Sequence, residues 1–262
     1  MAQEEKRIGT ALISVYSKEG LLPLVQQLAA YDITILSTGG TWEYLRSNGI
    51  DARKVEDLTG YPSILGGRVK TLHPLIFGGI LARRGAAEST RDVKEYNIPM
   101  IDLVVVDLYP FSETLAKGGS EEELVEKIDI GGVSLLRAAA KNYEDVLVVS
   151  SRQQYDRLLE LLKTGRGATT RTQRRSWAAE AFKLTCSYDA SIAAYFDESE
   201  GLAKASRRLS AALLNGQTAT RYGENPHQKG AFIGDLAAMF TKLHGKELSY
   251  NNLLDLDSGI GL

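Results

Sequence analysis

The chain has 262 residues, 44% of them hydrophobic and 24% charged, the balance of a soluble globular protein with room for one large domain and part of another. A chain of this length buries a core without disulfides or a structural metal, and its single cysteine, Cys186, excludes an internal disulfide and argues against a cysteine-based zinc site. The formal net charge of −2 provides no overall field toward nucleic acid or an anionic membrane, and the chain carries neither a signal-peptide core nor an apolar run of transmembrane length. No nucleic-acid or membrane partner is expected, and a cytoplasmic address is.

In chain order, Thr10 to Val15 (TALISV) reads as a buried strand, and Leu21, Leu24, Val25 and Leu28 recur at helical spacing between Gly20 and Tyr31. A second strand, Ile33 to Leu36, runs into STGGT, Ser37 to Thr41, with a helix expected from about Trp42 and a third short strand over Ala52 to Val55. Ile101 to Val106 and Val146 to Val149 are further apolar runs, each followed by a loop and a helical pattern. Strands alternating with helices predict an α/β architecture: a mostly parallel sheet covered on both faces, with ligands bound at the carboxyl ends of the strands.

From about Thr170, Trp177, Ala181, Leu184, Tyr188, Ile192 and Tyr195 stand three or four apart, which predicts one long amphipathic helix. Arg171, Arg174 and Arg175 at its start read as a solvated face rather than a binding patch, and SEGLAKASRRLSAALLNGQ reads as a connector. The remainder, Thr218 to Leu262, carries polar, signature-like residues in about 45 positions, too few for a comfortable core, and reads as the opening of a further domain.

The loops after the strands hold the chemistry. STGGT reads equally as a phosphate cradle at a helix N-terminus or as a plain strand-to-helix turn with a threonine cap. In SVYSKEG, Lys18 either reaches the same phosphate or is an ordinary surface lysine. GGRVKTLHP fixes Arg68, a planar fork suited to phosphate, and Lys70, a mobile charge suited to an oxyanion, on one loop. His73 there reads as a helix-entry residue. Asp107 and Tyr109 follow an apolar strand in VVVDLYPF, where a lone tyrosine is more often a packing residue than a donor. In EKIDIGGVSLLRAAAKN, Asp129 precedes a glycine pair and Lys141 ends a helix predicted over Ser134 to Asn142. Lysine at that end is also an ordinary dipole partner; a carboxylate and a lysine converging on one pocket would form a base and acid pair.

These motifs, in this order and together with RYGENPHQ, resemble the bifunctional purine-biosynthesis family that carries AICAR transformylase and IMP cyclohydrolase. The resemblance spans nearly the whole chain. It implies a methylglyoxal-synthase-like α/β core over residues 1–150, C-terminal helices of the cyclohydrolase region over 151–200, and over 201–262 a connector and the truncated start of the transformylase domain. It further implies a homodimer acting on a small nucleotide, with no cofactor for ring closure and 10-formyltetrahydrofolate as co-substrate of a transformylase whose catalytic Lys-His pair lies past residue 262. Carried over position by position, the catalytic residues are Lys70, Tyr109, Asp129 and Lys141. Nucleotide contacts fall on Tyr16, Ser17 and Lys18; Thr38, Gly39, Gly40 and Thr41; Arg68, Val69 and Thr71; Val106 and Asp107; and Ile130. Arg221 and Tyr222 match the transformylase-side nucleotide contact. Two stretches depart from the family's pattern: Tyr-Ser-Lys replaces Ser-Asp-Lys at residues 16–18, and Asp107 replaces Asn.

Within the resemblance, Asp129 is the base, Lys70 steadies the oxyanion, Lys141 moves a proton and Tyr109 orients the substrate. The rivals are a nucleotide-binding regulatory module of the same fold and a phospho-sugar lyase like methylglyoxal synthase. The joint presence of Lys70, Asp129 and Lys141 weighs against the first, and the long matching segments after residue 60 against the second.

Overall fold

Parallel strand pairing starts from β-branched and leucine runs that are buried on both faces. The computed structural model describes residues 5–197, 200–210, 212, 217–234 and 236–260. They fall into two compact units, Met1–Thr185 and Cys186–Leu262.

The first unit begins with β1 (Glu5–Arg7), β2 (Thr10–Val15), α1 (Leu21–Ala30), β3 (Thr34–Ser37), α2 (Gly39–Ser47), β4 (Arg53–Lys54) and α3 (Val55–Thr59). A short turn at Leu65–Gly67 leads through an extended stretch to α4 (Pro74–Leu81) and α5 (Ala87–Glu95). Next come β5 (Leu103–Asp107), α6 (Phe111–Ala116), α7 (Glu121–Glu126), α8 (Gly131–Lys141), β6 (Leu147–Val149), α9 (Tyr155–Thr164), β7 (Ala168–Thr170) and α10 (Arg171–Asp197), whose last residues belong to the second unit.

Five strands form a parallel sheet in the order β4-β3-β2-β5-β6, and β1 pairs antiparallel with β7 apart from it. Leu12, Ile13, Val104, Val105, Leu147 and Val148 are fully buried, as strands covered by helices on both faces require. The α1 side chains read as its inner stripe, Leu21, Leu24, Val25 and Leu28, are all buried. The chain builds outward from β2 through β3 to β4 and then returns to place β5 on the other side of β2. That reversal is a topological switch point, and it opens a crevice at the carboxyl ends of β2 and β5. The amino ends are closed instead by charge: Arg84 pairs with Asp102 at 2.8 Å, and Asp102 accepts from the Gly9 and Thr10 amides at 2.8 and 2.9 Å.

Two sequence readings are corrected here. Arg174 belongs to no solvated face. Its side chain is fully buried and donates to the carbonyls of Tyr143, Glu144 and Thr169 at 3.0, 2.9 and 2.6 Å and to the Thr169 hydroxyl at 3.0 Å. Arg171 binds Glu144 with both Nε and Nη2. The expected connector is largely a helix, α11 (Glu200–Ser210), as its alanines, leucines and arginines favour. Residues 199, 211 and 213–216 of that stretch lie outside the described residues.

The second unit continues with β8 (Gln217–Ala219), β9 (Ala231–Ile233), α12 (Leu236–Met239) and α13 (Tyr250–Ile260). β8 and β9 pair antiparallel, and the RYGENPHQ loop between them is closed by Gly223 N–H donating to the Gln228 carbonyl at 2.7 Å. No helix among the described residues is long and apolar enough to cross a membrane.

Candidate active site

The switch-point crevice is a cleft of about 710 Å³, lined from four loops that the sheet brings together. The first follows β2. Tyr16 N–H donates to the Asp107 carbonyl at 3.1 Å, continuing the β2–β5 pairing past its end, and Ser17 N–H donates to Asp107 Oδ2 at 2.9 Å. Lys18 turns back on this loop, giving hydrogen bonds to the carbonyls of Val15 at 2.6 Å and Tyr16 at 3.0 Å. Burial lowers the Lys18 pKa from its ordinary value, with Asp107 opposing and Lys70 adding to the shift. Asp107 is raised by burial, against the pull of the Ser17 amide, Arg152 and Lys18. An amide at position 107 could accept the Ser17 bond as well, so the carboxylate is a local charge rather than a geometric necessity.

The second loop is STGGT. Helix α2 starts at Gly39, three residues earlier than its side-chain pattern predicts, because Thr38 is an extended N-cap and the glycines form the first turn. The Thr41 hydroxyl is committed to β2, accepting from Val15 N–H at 3.2 Å and donating to Val15 O at 3.0 Å. The Thr38 hydroxyl lies 3.3 Å from that of Ser14. What this segment offers a ligand is therefore backbone: the helix head at Gly40, with the partial positive charge of its dipole.

The third loop is GGRVKTLHP. His73 is the N-cap of α4, its Nδ1 accepting from Leu75 N–H at 3.2 Å, which bears out its reading as a helix-entry residue. Pro74 at the first helical position fits that start. Upstream, Arg68 forms an ion pair with Glu126, while Lys70 extends toward α2, its ammonium 3.9 Å from where a β-carbon on Gly39 would stand. Val69 bridges back to Ile64 and does not line the cleft.

The fourth wall comes from IDIGG and the Tyr109 loop. Asp129 Oδ1 accepts from Gly132 N–H at 2.6 Å, and the Tyr109 amide also donates to this carboxylate. A β-carbon on Gly132 would come within 2.6 Å of Asp129 Oδ2, so the second glycine is what lets the carboxylate fold over the head of α8. Burial raises the Asp129 pKa; the two amides and Lys70 oppose that rise, and Asp107 adds to it. The half-buried Tyr109 hydroxyl is raised too, by burial first and then by Asp129, Glu126 and Tyr16. Lys70, Tyr109, Asp129, Arg68, Thr71, Asp107, Ile130, Tyr16, Lys18, Thr38, Gly40 and Thr41 thus share one cleft. Val106 is buried in the sheet, and Ser17 and Gly39 sit behind the lining.

Lys141 does not join them. It ends α8, ten residues past the helix head, which at ~1.5 Å per residue puts it roughly 15 Å from the Asp129 end. It lines instead a groove of about 650 Å³ in the same unit, with Phe77, Leu81, Arg137, Arg175 and Phe182. Among the described residues no group of three His, Cys, Asp or Glu side chains could hold a metal ion.

A family model described as the MGS-like domain matches residues 20–134, and one described as the AICARFT/IMPCHase bienzyme matches residues 139–262. A bifunctional purine biosynthesis protein PurH from Bacteroides thetaiotaomicron is 55% identical over 99% of this chain. The chain belongs to the AICARFT/IMPCHase bienzyme family. PurH proteins from Chloroflexus aurantiacus and Chlorobaculum parvum are 49% and 46% identical over 96% and 97% of it. The chain spans about half the length of these PurH relatives: 50%, 48% and 50% of the Bacteroides, Chloroflexus and Chlorobaculum proteins. The crystal structure of ForH superposes with a TM-score of 0.62 at 37% identity, covering 73% of this chain and 98% of ForH. The five-stranded parallel sheet flanked by helices is that of the MGS-like domain.

In the second unit, Arg221 and Tyr222 lie side by side, Arg221 Nη2 donating to the Tyr222 hydroxyl at 3.0 Å. The Ser249 and Arg221 side chains lower the Tyr222 pKa. Backbone bonds from Arg221 N–H to Leu248 O at 2.8 Å and from Tyr250 N–H to Tyr222 O at 3.2 Å dock this pair on the later LSYNN stretch. Sequence reasoning missed Glu126 and Lys127, which also line the cleft. Their signal was adjacency to Asp129 in EKIDIGG.

Proposed function

We propose that the first unit closes the second purine ring of 5-formamido-imidazole-4-carboxamide ribonucleotide, releasing water and giving inosine monophosphate, as an IMP cyclohydrolase. The observation that carries this reading is Asp129: a carboxylate held by two backbone amides, its pKa raised by burial, in one cleft with Lys70 and Tyr109. A carboxylate raised in this way is a stronger base than an ordinary one, suited to take a proton from a poor nucleophile, a contribution on the order of 10²–10⁴ in rate.

The carboxamide nitrogen attacks the formyl carbon, a C–N bond forms, and the carbonyl electron pair moves to oxygen. Asp129 takes the carboxamide proton. The Lys70 ammonium stabilises the developing oxyanion. One carboxamide proton and the formamide N–H proton leave with the former formyl oxygen as water, and a C=N bond closes the ring. Tyr109 orients the formamide, and the head of α2 with Arg68 and Lys18 receives the phosphate. Both reacting groups belong to one molecule, so fixing its conformer supplies much of the acceleration.

Incubating the purified chain with the formamido nucleotide while following the rise of purine absorbance tests the reading. Turnover at a rate proportional to protein supports it; nucleotide binding without turnover would make the domain a regulatory module instead.

A further inference from the structure

This inference rests on the ring-closure reading above and adds a residue to it. Tyr16 follows β2 and Tyr109 follows β5, neighbours at the switch point, and their rings meet edge to face with centroids 5.6 Å apart at 77°. Lys127, at the end of α7, holds its ammonium 5.0 Å from the Tyr16 ring centroid and 5.8 Å from that of Tyr109. Both distances fall within the range of a cation–π contact. The residue before it, Glu126, pairs with Arg68 on the loop that also carries Lys70, and two residues after it stands Asp129.

Residues 126–127 therefore strap two walls of the cleft together: one side chain ties to the Arg68–Lys70 loop, the other to the tyrosine pair. The other cleft cations are directed elsewhere. Lys18 donates to its own loop, Arg68 to Glu126, and Lys70 extends to the head of α2. We propose that Lys127 is a positioning residue for ring closure: its ammonium fixes the rings of Tyr16 and Tyr109 as one wall and so sets the point at which the Tyr109 hydroxyl meets the substrate's formamide. A residue acting in this way changes turnover more than affinity, because the phosphate end of the nucleotide is held by other groups.

The test compares Lys127→Met, which keeps the length and removes the charge, with Lys127→Arg, which keeps a cation over the rings. Both are made in the full 262-residue chain, with kcat and KM for ring closure, calorimetric affinity for inosine monophosphate and thermal midpoint as readouts. Lys127→Met is expected to lower kcat about tenfold, the fold-change a contact of this kind sustains, with affinity within about threefold and the midpoint unchanged. Lys127→Arg is expected to recover most of kcat, and Tyr16→Leu to add little once Lys127→Met is present, since the two act through one contact. An active wild-type chain whose kcat is unmoved by Lys127→Met, or one in which Lys127→Arg rescues nothing, overturns the role of Lys127 alone. A wild-type chain that binds inosine monophosphate and closes no ring overturns the ring-closure reading with it.

Discussion

Asp129 and Lys70 divide the work of the cleft by what surrounds them. Asp129 is fixed at the head of α8 by two amides, whereas Lys70 is a long side chain bridging toward the head of α2. A charge that matters most as the oxyanion develops affects turnover before affinity. Lys70→Ala is therefore expected to lower kcat about 10²-fold or more while product affinity falls far less. Steady-state rates and calorimetry on the same preparation check this, and turnover within a few-fold of wild type would remove Lys70 from the mechanism. Much at this scale was legible in the sequence, because Asp107 ends an apolar strand, Tyr109 stands just beyond it, Arg68 and Lys70 follow a glycine pair and Asp129 precedes one. Lys127 was not, because its contacts are with rings 111 and 18 residues away, joined only by the fold. Lys141 is the opposite case: its motif is specific, yet α8 carries its side chain away from the loop that holds Asp129.

Elements were legible where one period dominates. Strand β2 matches its predicted bounds, and β3 and β5 fall within two residues of theirs, because buried parallel strands leave uninterrupted apolar runs. The head of α2 was displaced because two glycines carry no pattern, and α10 hid a buried arginine because charge alone argues for solvent. Arg174 satisfies four acceptors at the junction of β7, α10 and the turn after α8, the two on Thr169 buried and the Tyr143 and Glu144 carbonyls part-buried. Removing it strands them at about 1–3 kcal/mol each before relaxation, so Arg174→Met is expected to cost at least about 3 kcal/mol. Urea unfolding checks this through the midpoint at constant slope. A loss below about 1 kcal/mol would mean that those carbonyls find other donors.

At the scale of the whole molecule, every residue assigned to ring closure lies in the unit Met1–Thr185. Cutting the chain beyond residue 197 is expected to leave ring closure within about twofold of the intact protein, since uniform surface changes rarely reach a buried cleft. Mass-verified digestion followed by the absorbance assay checks this, and a large loss would show that the second unit contributes to the site. The order of motifs along the chain made the two-part organisation readable. The division inside α10 was not, because a continuous helix shows no break in its side-chain pattern.

The central claim is that Asp129 is the base, and its titration tests that claim most directly. Burial raises its folded pKa, so the proton is held to higher pH than on an ordinary carboxylate; the charged form costs stability as pH rises through that value, and the rate grows over the same interval. An amide at this position can still accept from Gly132 N–H, so Asp129→Asn is expected to keep the fold, with a thermal midpoint at neutral pH equal to or above that of the wild type. The measurement is the single-turnover rate of ring closure across pH for the wild type and Asp129→Asn. The account expects the wild-type rate to rise through a pKa above 3.8 to a plateau, and Asp129→Asn to be at least about 10²-fold slower with that limb gone. An Asp129→Asn chain that retains both the rate and the acid limb would contradict it.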